Sequence, residues 1–440
     1  MKAIHQTERN CEDYVHSKHL VLATYNSMKK KTIKVGTLFS GIGAFEEALK
    51  QMNIPHEILF ACDNGEVELI PLDDLAERKE YADLEKRVLN LKDEEKIRYS
   101  ILKEKVDKKV EEIRCVCFKM KNNKERTKYV NEIYKKYLPH KKNYMKISYL
   151  ANHNLNEEDF HTDVRFIKGD EYKGQIDIMV GGSPCQSFST YGKKRGLEDT
   201  RGTLFYDYAR IIKECQPKVF NYENVNGLLS HDDGKTWEIM IEVWKSLGYN
   251  LSYEILNAED YNFPQTRHRL FLVGIRNDVL KNMKYHFPEK MQLTKKSWDY
   301  LETEVDNSFY LPQKGFEWVT IHSKNVNRTR FNRDVIGAQT ATQQDNWTGD
   351  LWVERPKQRH YDDPRIYKGK YDFGSGLEDA VARKMTPREC LNLMGFNNKF
   401  SAPVPKIWAY RQAGNSIVVP VLIEIIKTLK PYLNYEVNDL

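Results

Sequence analysis

Apolar and polar positions along this chain fall into blocks whose period switches between helix-like and strand-like. "IKVGTLFSGIGAFEEALKQMN" opens with an apolar run from about Ile33 to Phe39, turns on glycines, and continues with helical spacing from about Ala44. A second apolar run, "EILFACD", follows after a short connection, so this opening predicts a β-α-β unit. The alternation returns in "QIDIMVGG", "YDYARIIKECQPKVFNYEN", "MIEVWKSLGYNLSYEIL" and "RLFLVGI". Strand and helix in turn predict an α/β fold with a doubly wound, mostly parallel sheet.

Two stretches break the alternation. From about 66 to 146 the chain is dense in Lys and Glu, with Leu84, Val88 and Leu91, then Val106, Val110 and Ile113, at helical spacing. That pattern predicts amphipathic helices, an antiparallel pair broken near Asn122, inserted into the sheet domain. A solvated helical arm is the plainer expectation for this insert, and a DNA or partner contact the other. From 276 to 380 the pattern becomes irregular and rich in Asn, Asp, Trp, Tyr and Arg, which predicts a second, smaller domain. "TPRECLNLMGF" then reads as a helix with Pro387 in its first turn, and "AGNSIVVPVLIEIIKTL" as a loop and a long apolar helix. The expected organisation is an N-terminal extension over 1–32, a sheet domain over 33–275 carrying the insert, the smaller domain over 276–380, and a C-terminal segment over 381–440.

Composition narrows the class without naming it. The chain has 440 residues, 40% of them hydrophobic, and a formal charge of +6, which permits a polyanionic partner. No apolar run approaches the ~20 residues of a membrane helix, and "MKAIHQTERN" lacks the apolar stretch of a signal peptide, so a cytoplasmic protein is expected. Seven cysteines, scattered and odd in number, do not form a disulfide framework. The close pair Cys115 and Cys117 has neither a second pair nor nearby histidines, and no metal site is expected.

Three sites carry candidate chemistry. In "FSGIGAF", Phe39, Ser40, Gly41, Ile42 and Gly43 form a turn where backbone can approach a ligand at a helix N-terminus, although Phe45 stands where a third glycine would complete the dinucleotide fingerprint. Asp63, 20 residues after Gly43, ends the second strand, where an acid can accept hydrogen bonds from ribose hydroxyls. In "GGSPCQSFS", Cys185 follows a strand end, a position that suits a nucleophile as well as an ordinary turn. A thiol with a pKa of about 8.5 is a few per cent thiolate at pH 7, so it needs little activation. An unactivated aromatic ring resists nucleophiles, so a proton donor is wanted beside it. Glu223 in "NYENV" offers one, because apolar surroundings raise a carboxyl pKa; its plain alternative is a helix-capping carboxylate. Arg267 and Arg269 in "QTRHR" alternate and so share a face, either to hold a carbonyl oxygen and a carboxylate or as surface ion-pair partners.

Taken in order, "FSGIGAF", "GGSPCQSFS", "NYENV", "QTRHR", "TPRECLNLMGF" and "AGNSIVVPVL" resemble the signature blocks of the cytosine-5 DNA methyltransferases, over roughly Ile33 to Ile275 and Met385 to Leu429. "YLANHN" at Tyr149 and "TDV" at Thr162 to Val164 fit the family's second and third cofactor blocks, displaced by the insert. The resemblance implies a Rossmann-like, S-adenosylmethionine-dependent catalytic domain with a target recognition domain over 276–380. It implies that Cys185 attacks C6 of a flipped-out cytosine while Glu223 binds N3 and the exocyclic amine, Arg269 holds O2 and Arg267 supports the pocket. No residue is assigned to the C5 proton. The cofactor is expected against Phe39 to Gly43, with Asp63 at the ribose, Asp163 and Val164 at the adenine, and Pro184, Leu204, Asn415 and Ser416 as further contacts.

The segment after the nucleophile, with Gln186, Ser187, Ser189, Lys193, Lys194 and Arg195, is polar and basic, as a mobile loop closing over phosphates would be. Thr340 and Thr342 in "TATQQ" stand where the family often has a threonine-rich recognition loop. The expected partner is double-stranded DNA, with a cognate restriction endonuclease acting on the same site and the protein a monomer near the prokaryotic nucleoid. A tRNA cytosine-5 methyltransferase is the nearest alternative. The roughly 100 residues from 276 to 380 favour DNA, because the RNA branch of the family lacks a long variable domain. A catalytically silent DNA-binding relative is the other alternative, disfavoured by Cys185, Glu223 and the two arginines.

Overall fold

The computed structural model describes residues 32–183, 204–281, 283–321, 329–343, 347 and 349–433. Its centre is a seven-stranded sheet in the order β3-β2-β1-β4-β5-β8-β6. The strands are β1 (Ile33–Leu38), β2 (His56–Cys62), β3 (Phe160–His161), β4 (Ile178–Gly181), β5 (Val219–Val225), β6 (Tyr249–Asn257) and β8 (His268–Arg276). The first five run parallel, and β8 inserts antiparallel between β5 and β6. The expected mostly parallel, doubly wound sheet is therefore present. Parallel strands are covered on both faces, which is why β4 reads as a continuous apolar run and β1 is buried at every position but Lys34.

One face of the sheet is packed by α1 (Ala44–Gln51) and by elements from the far end of the chain; the other is packed by α6 (Leu204–Cys215) and α7 (Lys235–Ser246). In the first core, Phe45, Ala48 and Leu49 of α1 sit with Leu422, Ile425 and Ile426, so the C-terminal segment packs onto the sheet domain.

The region expected as an insert holds α2 (Leu75–Lys86), α3 (Asp93–Lys119) and α4 (Asn123–Tyr137), and α5 (Tyr144–Asn152) leads back to the sheet. Asn122 ends the pair's first arm because its side chain caps α4, accepting from the Glu125 N–H at 3.0 Å. The solvated arm is corrected here. Tyr99, Leu102, Val106, Val110, Ile113 and Val130 build a core that also takes in Phe166 from the segment after β3, so the insert is packed onto the sheet domain. Helical spacing reveals an apolar stripe but not what the stripe covers.

A four-stranded second sheet, order β12-β13-β11-β9, combines β9 (Thr329–Phe331), β11 (Gly349–Glu354), β12 (Gly369–Asp372) and β13 (Leu377–Arg383). Helix α8 (Gln313–Thr320) packs on it through Phe316 and Val319. The two sheets are stitched by a parallel pair of two-residue strands, β7 (Gln265–Thr266) and β10 (Ile336–Gly337). Strand β13 runs past the expected boundary at 380, and buried Arg383 at its end pairs with buried Glu389 at 2.8 Å, fastening the sheet to α9 (Pro387–Asn392). The chain then forms α10 (Lys406–Asn415) and α11 (Val419–Leu429). Among the described residues no helix is long and apolar enough to cross a membrane.

Candidate active site

The carboxyl ends of β1, β2, β4 and β5 converge on one region, as ligand sites in open α/β sheets do. At the end of β1 the backbone passes through the left-handed region at Phe39 (φ 53°), Gly41 (φ 53°) and Gly43 (φ 84°). The two glycines serve different ends. A Cβ on Gly41 would meet nothing within 4 Å, so the space over the turn is open, whereas one on Gly43 would fall 2.2 Å from His153 Nε2. That histidine bonds the Ile42 carbonyl at 3.1 Å and braces the turn from α5.

Asp63 lies beside this turn and accepts from the Gly41 N–H at 2.8 Å and the Gly65 N–H at 2.7 Å. Burial pushes its carboxyl up, and the two N–H groups pull against that shift. Beneath the turn, buried Glu46 accepts from Thr37 Oγ1 and from Tyr149 Oη at 2.7 Å, tying β1, α1 and α5 together. Ser40 Oγ is buried and has no partner among the described residues. An open glycine cradle, an acid at the next strand end and an orphaned hydroxyl fit a nucleoside-bearing cofactor.

The other expected cofactor contacts are variously engaged. Asp163 accepts from Arg165 N at 3.0 Å, Nε at 3.0 Å and Nη2 at 2.7 Å, and from Tyr134 Oη at 3.0 Å. Val164 is buried behind it. Leu204 is half-buried at the start of α6. Asn415 donates to Glu66 at 2.5 Å, and the Ser416 carbonyl accepts from Arg267 at 2.8 Å. Pro184 lies outside the described residues.

The catalytic side is set by close backbone packing. A Cβ on Gly181 would lie 2.2 Å from the Leu38 carbonyl oxygen, and one on Gly182 would lie 2.0 Å from the Glu223 carbonyl oxygen. The "GG" of "GGSPCQSFS" therefore exists so that the end of β4 can press against β1 and β5. Ser183, next in the chain, is held on both sides. Its hydroxyl pairs with Tyr222 Oη at 2.8 Å, and its carbonyl accepts from Asn224 Nδ2 at 2.9 Å. Cys185 itself lies outside the described residues, as do Gln186, Ser187, Ser189, Lys193, Lys194 and Arg195.

Glu223 and the two arginines are brought together. Glu223 pairs across the ladder with Phe271, and Val225 with Arg269, so Glu223 and Arg269 share one sheet face, and Arg267 lies close to both. Arg269 Nε sits 3.2 Å from Glu223 Oε1, with both side chains about one-fifth exposed (21% and 19%). Burial raises the Glu223 pKa, against the opposing pull of Arg269 and then Arg267. Arg267 has a different job from its neighbour. It is buried and donates to the carbonyls of Gln339 at 2.6 Å, Gly414 at 2.9 Å and Ser416 at 2.8 Å. Burial, with Arg269 close by, brings its guanidinium down to about 9, still protonated at neutral pH.

Spacing alone did not single out several residues that build this site. Tyr222 and Asn224 carried a signal, since polar side chains in an otherwise apolar strand call for partners. Gln265 donates to the Leu393 carbonyl at 2.6 Å and accepts from the Gln339 N–H at 3.2 Å, in the same join as Arg267. Gly414 presses on Thr340, where a Cβ would lie 2.1 Å from the Thr340 carbonyl carbon. Thr340 and Thr342 are both exposed beside this join.

A family model described as C-5 cytosine-specific DNA methylase matches residues 130–431. The chain is 34% identical over 258 residues to the type II methyltransferase M.DsaV of Dactylococcopsis salina, covering 59% of this chain and 70% of that protein. It is 34% identical over 268 residues to the type II methyltransferase M.HhaI of Haemophilus parahaemolyticus, covering 59% and 77%. Among solved structures, the S. pombe Dnmt2 methyltransferase superposes with a TM-score of 0.55 at 19% identity, covering 92% of this chain and all of that one, which shows a shared fold.

Proposed function

The chain belongs to the C-5 cytosine-specific DNA methylase family, and from that membership we propose that it methylates C5 of a specific cytosine in double-stranded DNA. The observation that carries the mechanism is the Glu223–Arg269 pair, half-buried on the sheet face beside the strand end that leads to Cys185. A cytosine must leave the duplex to reach such a site, at a cost of a few kcal/mol.

The Cys185 sulfur adds to C6, forming a carbon–sulfur bond, while Glu223 in its protonated form donates to N3. Burial favours that protonated form. Arg269 holds O2 and offsets the charge that builds there as the ring loses aromaticity. The C5=C6 π electrons thereby form C4=C5 while the C4=N3 electrons take the proton from Glu223 at N3, so that C4=C5 with the C4 amino nitrogen is an enamine and C5 a carbon nucleophile. S-adenosylmethionine, when bound, supplies an electrophilic methyl group on sulfonium sulfur. Phe39 to Gly43 and Asp63 would hold it, with Val164 and Asn415 alongside. Loss of the C5 proton and expulsion of the thiolate restore the aromatic ring. Arg267 keeps Arg269 and the join to the second sheet in place.

The second sheet is the target recognition domain of this reading, with Thr340, Thr342 and the basic segment at Lys193, Lys194 and Arg195 on the DNA. The type II names of the relatives support a restriction-modification role, with a cognate endonuclease sharing the site. The experiment is transfer of tritium from labelled S-adenosylmethionine to duplex DNA or to tRNA, beside Cys185→Ala. Label in DNA that disappears in the variant is expected; label only in tRNA, or in neither, overturns the reading.

A further inference from the structure

The insert enters the chain immediately after Asp63 and returns just before α5, and its contacts with the body, which also reach Glu158, Glu171 and Asp207, include several of the cofactor blocks. At its exit, Asn143 Nδ2 donates to the Asp63 carbonyl at 2.6 Å, and Gly65 is packed so closely that a Cβ there would lie 2.5 Å from Asn143 Oδ1. At its entry, Glu66 accepts from Asn415 Nδ2 at 2.5 Å and pairs with Arg411 Nη1 at 3.2 Å. From its helices, Tyr134 Oη reaches Asp163, Asn131 Oδ1 accepts from Thr162 Oγ1 at 3.0 Å, and Arg114 Nε donates to the Arg165 carbonyl at 3.0 Å. Phe166 is buried in the insert's own core.

The consequence is sharpest at Asp163. A carboxylate offers about four lone-pair sites. Arg165 N and Nε fill one oxygen, and Arg165 Nη2 with Tyr134 Oη fill the other. The side chain is 4% exposed. Its carboxylate is thus a fixed post around which the Val164 turn is built, held by Arg165 and, from the insert, by Tyr134.

We propose that the helical insert is a structural part of the cofactor site: Tyr134 and Asn143 are positioning residues that hold the adenine-side and ribose-side segments and so set the affinity for S-adenosylmethionine. This rests on the reading of the chain as a methyltransferase. It assigns the insert a role on the cofactor side and none on the DNA side.

Tyr134→Phe removes a single hydroxyl from Asp163. Asn143→Ser keeps an oxygen able to cap α5 but is too short for the Asp63 carbonyl. Each variant is expected to weaken S-adenosylmethionine binding, measured by titration calorimetry on the full chain without DNA, by roughly tenfold. KM for the cofactor should rise in step, with kcat at saturating cofactor and the Kd for duplex DNA unchanged. Ile97→Ser, at an exposed position on α3, should change none of these. Amide exchange over 160–166 should quicken in Tyr134→Phe while the β4 and β5 amides stay protected, which separates loosening of this segment from general unfolding. Wild-type cofactor affinity in both variants, or a loss of DNA affinity instead, overturns the proposal. Failure of the wild-type chain itself to bind S-adenosylmethionine overturns the reading of function, and this inference with it.

Discussion

In the proposed reaction the residue that decides the chemistry is Glu223, because it must be protonated where an ordinary carboxyl is not. Its pKa is raised by burial, so the neutral form survives to higher pH and is lost only as pH climbs through that raised value. A cysteine nucleophile behaves oppositely, because any thiol yields more thiolate as pH rises. Turnover should therefore be bell-shaped in pH, with Glu223 on the alkaline limb. Glu223→Gln is expected to lower kcat by about 10²- to 10⁴-fold and to abolish that limb in the residual activity. A variant within tenfold of wild type, or one with the limb intact, removes Glu223 from the proton-donor role. Gly182 makes a second residue-scale case. Its missing side chain is what lets β4 approach Glu223, so Gly182→Ala should cost about 1–3 kcal/mol of stability in urea unfolding. Gly227→Ala, where a Cβ meets nothing within 4 Å, should cost much less.

Between elements, the join of the two sheets depends on Arg267. Three carbonyls, from Gln339 beside β10, from Gly414 in α10 and from Ser416 before α11, converge on one guanidinium. Arg267→Ala strands all three in a buried site, and a loss of about 3 kcal/mol or more in the midpoint-derived unfolding free energy is expected. Arg267→Lys keeps the charge but not the planar fork, so it should recover only part of that loss. Equal stability for wild type and Arg267→Ala would show that the join is held elsewhere. This pair of arginines also shows how far the sequence reaches. Period two predicts Arg267 and Arg269 on one face, yet nothing in "QTRHR" separates the one that faces Glu223 from the one that faces carbonyls 70 to 150 residues away. The difference is made by tertiary partners. The same holds for the insert. Its helices and the break at Asn122 follow from local spacing and capping, whereas the packing of Phe166 and the bond from Tyr134 to Asp163 depend on long-range docking. Strands β4 and β8 of the large sheet were legible because burial on both faces writes an apolar run; the short strands β9 and β12, with exposed and polar positions, left no such mark.

At the scale of the whole molecule, the sheet domain is closed by its two ends. Helix α11 covers α1 and buries Val419, Val421, Leu422, Ile425, Ile426 and Leu429. Each such side chain contributes about 1.5–3 kcal/mol on burial, so α11 alone accounts for a sum comparable to the entire 5–15 kcal/mol by which a typical domain is stable. A chain ending at 416 should accordingly lose the cooperative thermal transition of the sheet domain, although every block from Phe39 to Arg269 remains in its sequence. Leu422→Ala, a smaller perturbation of the same contact, should cost about 2–5 kcal/mol without changing the cofactor-binding residues. Because the glycine turn stands at the N-terminus of α1, the truncated chain should also fail to bind S-adenosylmethionine, whereas Leu422→Ala below its melting temperature should bind normally. A 1–416 chain that melts cooperatively at the wild-type temperature would show instead that α1 finds its cover without the C-terminal helix. The insert, with a core of its own around Leu102, Val106 and Val110, should then be the last part of the truncated chain to lose its helical signal.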